Sequence, residues 1–361
     1  MSAGLAGVVA GSSAICQCAE GLTYRGYAIE ELASLASFEE VAHLLLVGHL
    51  PNQAQLESFK AQLQQYRELP MGVKKALRAL GSGHPMDILK AGVVALGCLE
   101  AESLDFSDQY DKAVQILGSL PSILLYWHHY HKHGKEISLQ DRTSTAHFIL
   151  ERLREQEPLW VEVKAMDAML ILYAEHGFSA STFASRISAS TLSDLHSCVV
   201  TGIGTLKGRL HGGANEWAIQ LMLEYPSVEE ALKGIAKRLA SKEKIMGFGH
   251  RLYKIADPRS AVGLELAQKL KGLGDPKLFD IALAIKDYMQ KEKNLPDNID
   301  FFGGLVYHYL KLPRLYYTPL FVMSRVAGWI AHVFEQRADN KIIRPNSDYT
   351  GPARCSFKPI A

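Results

Sequence analysis

No run of apolar residues in this sequence is long enough to span a bilayer, and the opening MSAGLAGVVAG lacks the basic region that begins a secretory signal. Cysteine is scarce: the five residues Cys16, Cys18, Cys98, Cys198 and Cys355 are odd in number and form no CxxC spacing, which points to reduced thiols and away from a structural zinc site. An excess of either charge is also missing. With 39 basic and 38 acidic residues the net charge is +1, so there is no broad attraction to nucleic acid or to an anionic membrane, and any anion must be caught locally. No period of about 33 to 47 residues recurs, against a helical solenoid. These absences together lead us to expect a cytoplasmic protein with neither nucleic-acid nor membrane partners.

What is present is an apolar fraction of 48% and a charged fraction of 21% over 361 residues, enough for a large core and two lobes. Residues 1–25 alternate small and apolar side chains and predict short strands or an extended arm. Helical periodicity follows. Ser37-Phe38-Glu39-Glu40 is a capping box, with Gly48 placed to end its helix. A second helix follows Pro51-Asn52, residues 85–98 are apolar nearly all round as in a buried helix, and further helical periods cover 110–132, 143–155, 159–175 and 214–224. Between Gly177 and Gly213 small residues crowd the chain, so helices there can approach closely at the centre of the molecule or at a subunit interface. The polar tail from Gln336 is too short for its own core and must dock. The pattern is that of an all-α globule with a short N-terminal extended or β segment.

The densest chemistry lies in Lys244 to Ser260, KIMGFGHRLYKIADPRS. Gly247 and Gly249 flank Phe248 and lead to His250, letting the backbone take conformations closed to other residues and come close to a ligand. Arg251, Lys254 and Arg259 surround that imidazole with cations. His176, His211 and His84 also lie beside glycine or a helix end, whereas His43, His308 and His332 sit in apolar helix faces and read as structural. His211 stands at the entrance of the 214–224 helix, where a positive dipole end favours a neutral, hydrogen-bond-donating imidazole. Asp300, followed by Phe301-Phe302, is a carboxylate partly desolvated by aromatics, hence a base of raised pKa, or else a helix cap. The cluster His128, His129, His131 and His133 includes an i,i+4 pair, but its spacing matches no metal motif, so a solvated helix end is expected rather than a metal site.

The segments GLAGVVAG, GLTYRGYAIEELA, FEEVAHLLLVGHLP, HPMDILKAGVVALGC, LYAEHGFSASTFASR, KGRLHGGANE, IMGFGHRLYKIADPR, NIDFFGG and EQRADNKIIRP occur in an order that resembles the citrate synthase family over nearly the whole chain, most closely its 2-methylcitrate synthase members. The resemblance implies catalytic roles for His211, His250 and Asp300, and oxaloacetate contacts from His176, Arg259, Arg325 and Arg344. It places coenzyme A against the backbone of Glu243, Lys244, Ile245, Met246 and Gly247 and against Lys254. It implies a large domain from 1–212 and 313–361 and a small one from 213–312, in a homodimer where Arg344 serves the neighbouring subunit. The reaction implied joins propionyl-CoA to oxaloacetate and water, with acetyl-CoA and citrate as the alternative. Asp300 would take the proton and two histidines act as acids, with the coenzyme A thioester as substrate and neither a tightly bound cofactor nor a metal. Ser179 departs from the asparagine frequent after His176, and Arg251 from the proline that many 2-methylcitrate synthases carry after His250.

Overall fold

Strands β1 (Cys16–Gln17), β2 (Thr23–Tyr24) and β3 (Tyr27–Ala28) pair antiparallel in that order, with Cys16 opposite Tyr24 and Thr23 opposite Ala28. Arg25 and Gly26 close the β2–β3 hairpin, both with positive φ, the turn whose twist suits adjacent strands. The computed structural model describes residues 7–19 and 21–359; residues 1–6 and Glu20, within the stretch expected to be extended, lie outside the described residues.

The chain is otherwise helical. In order come α1 (Ile29–Leu35), α2 (Phe38–Val47), α3 (Gln53–Gln65), α4 (Met71–Ala79), α5 (Pro85–Leu99), α6 (Gln109–His133), α7 (Thr145–Arg154), α8 (Trp160–Ala174), α9 (Ala180–Ser190) and α10 (Leu195–Leu206). There follow α11 (Ala214–Leu223), α12 (Val228–Ala240), α13 (Pro258–Leu270), α14 (Pro276–Lys293), α15 (Ile299–Tyr309) and α16 (Tyr317–Ala338). Local signals set most of the ends. Ser37 and Asn52 both complete capping boxes, and Gly48 ends α2 in the left-handed conformation. No helix among the described residues is long and apolar enough to cross a membrane.

The core is centred on α8 and α16, each buried almost all round. α16 lies against α8, α9 and α10, while α11 and α13 both pack on α15 and α12 packs on α14. One expectation is corrected here. Helix α5 is not buried all round: Val94 and Leu99 are exposed, with no described residue covering that side. Helix α8 ends at Ala174, within one residue of the expected end, where the Tyr24 hydroxyl takes over the backbone, donating to Glu175 O at 2.9 Å and accepting from Glu175 N at 3.2 Å.

The elbow so formed, Ala174 to Ser179, is locked from below. His332, read as structural, accepts from Arg186 Nη1 at Nδ1 (3.0 Å) and donates from Nε2 to Glu175 Oε1 (3.0 Å). Buried polar groups joined in this way favour one arrangement of the chain. Gly328 on α16 passes so close to the elbow that a Cβ would overlap the Ala174 carbonyl and the Glu175 carboxylate. Gly328→Ala is therefore expected to destabilise the protein by about 1–3 kcal/mol, as overpacking does. The check is a denaturant titration of parent and variant; equal midpoints would show that α16 yields without cost.

Candidate active site

The loop before α13 and the segment before α15 are tied together by backbone. Phe248 and Asp297 form a β-bridge, Gly249 N donates to Pro296 O (2.8 Å), and Asn298 N donates to Gly247 O (2.9 Å). Gly247, at φ +88°, has no room for a Cβ, which would press on Phe301. The Asn298 side chain caps α15 by accepting from Asp300 N (3.1 Å). Asp300 is thus freed from the capping role, and its Oδ1 accepts from the hydroxyl of Tyr173 at 2.8 Å.

His250 follows the loop. Its Nδ1 accepts the backbone N–H groups of Leu252 (3.1 Å) and Tyr253 (3.2 Å). A neutral ring so held carries its proton on Nε2, which is left to donate. His176 stands edge-on to His250 with ring centroids 5.1 Å apart, and its Nε2 lies 3.1 Å from the Tyr253 hydroxyl. His211 is fixed in the opposite sense: Ser181, in the first turn of α9, donates its N–H to His211 Nε2 at 3.2 Å, and the Ser181 hydroxyl is 2.8 Å away. Its proton therefore resides on Nδ1. The helix end that keeps this ring neutral includes α9, which sequence spacing did not reveal.

Two guanidinium groups complete the constellation. Arg259 is buried and engages Asp257 bidentately, at 3.0 and 2.8 Å, while the same carboxylate accepts Ile299 N at 3.1 Å. Arg325, 1% exposed, donates to Tyr173 O (2.7 Å) and Ser179 Oγ (3.2 Å) and covers the ring of Phe321. Among the described residues no carboxylate pairs with it. A guanidinium stays charged at neutral pH, and an unneutralised buried cation is costly, so Arg325 calls for an anionic ligand.

The electrostatics follow from burial first. Desolvation lowers His250 and His211 to about 4, with Arg259 adding to the effect on His250 and Arg325 on His211. His176 falls well below the ordinary histidine range through burial, then Arg259 and Arg325. All three rings are neutral near pH 7. Desolvation raises Asp300 to about 6, the Tyr173 hydrogen bond and Arg259 acting in the other direction. The site thus holds two oriented N–H donors, a carboxylate stronger as a base than usual, and a positive lining.

Of the residues read from sequence, His176, His211, His250, Arg259, Asp300 and Arg325 come together. Lys254 reaches back to His250 O at 3.3 Å, and Glu243 and Lys244 are exposed beside buried Ile245. Arg344 does not join them: it lies exposed in the tail beyond α16, with no recorded bond to the site among the described residues. His84 is a helix cap, its Nδ1 accepting from Met86 N. Tyr173, Tyr253, Ser181 and Asp257 were missed, since only contacts between remote segments reveal them.

A match to the family described as citrate synthase, C-terminal domain, covers residues 4–346. The chain is 45% identical to a 2-methylcitrate synthase of Shewanella oneidensis across 99% of this chain and 97% of that protein. It is 39% identical to citrate synthase 2 of Bacillus subtilis across 99% and 98%. Its fold matches a citrate synthase of Thermoplasma acidophilum, solved with carboxymethyl coenzyme A and oxaloacetate, at a TM-score of 0.90 and 32% identity over 99% of this chain and 97% of that one.

Tyr173→Phe removes a donor that stabilises the ionised carboxylate. Asp300 should then titrate above its present value of about 6. Carboxyl carbon NMR on aspartate-labelled protein, assigned with Asp300→Asn, reads this shift; an unmoved titration would show that the tyrosine hydroxyl does not act on the carboxylate.

Proposed function

The chain belongs to the citrate synthase family, and from that premise we propose that it is a 2-methylcitrate synthase, joining propionyl-CoA to oxaloacetate and water to give 2-methylcitrate and free coenzyme A. Buried Arg325, with no carboxylate paired to it among the described residues and with neutral histidines beside it, is the observation that carries a reaction on an anionic carbonyl compound. The choice of propionyl-CoA rests on the higher identity to a 2-methylcitrate synthase than to a citrate synthase.

In this reading Asp300 removes a proton from the carbon next to the thioester. That carbon acid is far weaker than a carboxylic acid, so the step needs the negative charge to be met as it forms on the thioester oxygen. His211 Nδ1–H meets it. The carbon then attacks the ketone of oxaloacetate while His250 Nε2–H polarises the ketone oxygen and delivers its proton. Water cleaves the resulting thioester and coenzyme A leaves. Arg259, Arg325 and His176 hold the oxaloacetate carboxylates and so fix which face of the ketone is attacked.

Coenzyme A lies, in the same reading, along the backbone from Glu243 to Gly247, with Lys254 near its phosphates. Residues 213–312 form a small domain that closes on a large one made of 1–212 and 313–361. The functional unit is a homodimer in which Arg344 reaches the neighbour's site. Supporting the dimer, Val94 and Leu99 on α5, Ile187 on α9 and Leu192 in the turn after it are exposed, and both helices pack against α10.

Free coenzyme A should appear from propionyl-CoA only when oxaloacetate is present, and Asp300→Asn should lower that turnover by at least about 100-fold while oxaloacetate still binds. A folded variant that kept most of its turnover would remove Asp300 from the role of base. The acyl preference is read from kcat/KM for propionyl-CoA and acetyl-CoA at saturating oxaloacetate. One methylene is worth about 1–3 kcal/mol in a pocket, so propionyl-CoA is expected to lead by a graded factor; a lead for acetyl-CoA would make this chain a citrate synthase.

A further inference from the structure

The C-terminal turns of α6 are not the solvated helix end that sequence spacing predicted. His128 and His129 are buried, 4% and 2% exposed. His128 Nδ1 pairs with the Tyr316 hydroxyl, and His131 Nε2 lies 3.1 Å from Leu77 O. Glu136, three positions after His133, pairs with Arg78, and the carboxylate that reaches these histidines comes from a remote segment. Glu155, just past α7, adopts φ 52°, and this left-handed turn carries its carboxylate back over the end of α6. Glu155 Oε1 is 3.4 Å from His133 Nε2 and 3.8 Å from His129 Nδ1.

The tautomer of His129 gives this contact its meaning. Its Nε2 lies 2.7 Å from Arg152 O, a carbonyl that can only accept, so Nε2 carries the ring proton. The Nδ1 lone pair is therefore the atom that faces the Glu155 carboxylate. Lone pair and carboxylate face each other with no proton to share, a disposition that a cation between them would satisfy. The Arg152 carbonyl bond is also the support that fixes ring orientation in metal-bound histidines.

We propose that His129, His133 and Glu155 form a binding site for a divalent transition metal of the zinc type, clasping the ends of α6 and α7. The three ligand atoms lie within 4.8 Å of one another. Tetrahedral zinc at its usual bond lengths spaces its ligands by about 3.3 Å, so small rotations of the His133 and Glu155 side chains complete the set. His133 and Glu155 side chains are 33% and 58% exposed, leaving room for those rotations and a path for the ion. Two imidazoles with one carboxylate select zinc, nickel or copper over calcium or magnesium, which take oxygen ligands. None of these residues belongs to the site described above.

The test is calorimetric titration of zinc chloride into the full chain, repeated on His133→Ala and Glu155→Gln. The parent should bind one zinc ion per chain whose affinity falls at least about tenfold in each variant, the least expected for losing a ligand when outer partners alone are worth that much. Cobalt(II) should give tetrahedral visible absorption in the parent that both variants lose. Both substitutions lie at the surface, and unchanged coenzyme A release will certify that the variants are folded. Equal zinc affinity in all three proteins, or none in the parent, would overturn the proposal and leave an ordinary histidine–glutamate ion pair.

Discussion

A single buried carboxylate, that of Asp257, joins the two helices on which the site is built. It caps α13, accepts two bonds from the Arg259 side chain, and takes the Ile299 N–H at the start of α15. Burial pushes this carboxyl up in pKa, but Arg259 and the N–H groups hold it below the usual range. Removing it would leave Arg259 as an uncompensated buried charge, which is worth several kcal/mol when such pairs are broken. It would also loosen the first turn of α15, where Asp300 sits. Position of cation and of base therefore depend on the same four hydrogen bonds, reinforced by the backbone ladder between Gly247–Gly249 and Pro296–Asn298.

Around that clasp one set of charges serves two ends. Arg259 and Arg325 are placed to receive carboxylates, and the same cations help keep His176, His211 and His250 neutral. A neutral imidazole donates from the one nitrogen that carries its proton, and an N–H donor aimed at the other nitrogen fixes which one that is. Backbone N–H groups do this for His250, and the first turn of α9 does it for His211. The two rings thus present opposite nitrogens, and the raising effect of Asp257 on His250 is outweighed by desolvation and Arg259. Asp300 is tuned the other way, raised by desolvation and moderated by one tyrosine hydroxyl. Asp300 is in this way a stronger base than a free carboxylate while the rings stay neutral donors, which suits proton abstraction near neutral pH.

The elbow after α8 shows how the scaffold carries this precision. Tyr24 from the small N-terminal sheet, Glu175, His332 from α16 and Arg186 from α9 form one buried network beneath His176. Four remote segments converge there, so movement of any one would be felt at the histidine. The tail beyond α16 contrasts with this order. It touches Ser190 through Asn340 and Ile343 and then runs exposed past Arg344.

By itself the sequence determined the features whose physics is local. Ser37 and Asn52 cap their helices through residues three positions on, Gly48 and Gly247 adopt the positive φ that glycine allows, and glycine-flanked His176, His211 and His250 lie where the backbone comes close to the site. Asp300 was marked by the phenylalanines that follow it, but the burial that raises its pKa comes from the packing of α15, with Tyr173 as its hydrogen-bond partner. Tertiary structure alone decided what depends on partners far apart. Tyr173 meets Asp300 across 127 positions, Ser181 meets His211 across 30, and Asp257 meets Ile299 across 42. Glu155 reaches His133 only because a left-handed turn reverses the chain after α7. Hydrogen bonds and desolvation act over a few ångströms of space, not of sequence. Periodicity and motif spacing could therefore indicate which side chains would do chemistry, while protonation state, tautomer and charge balance awaited the packing of remote helices.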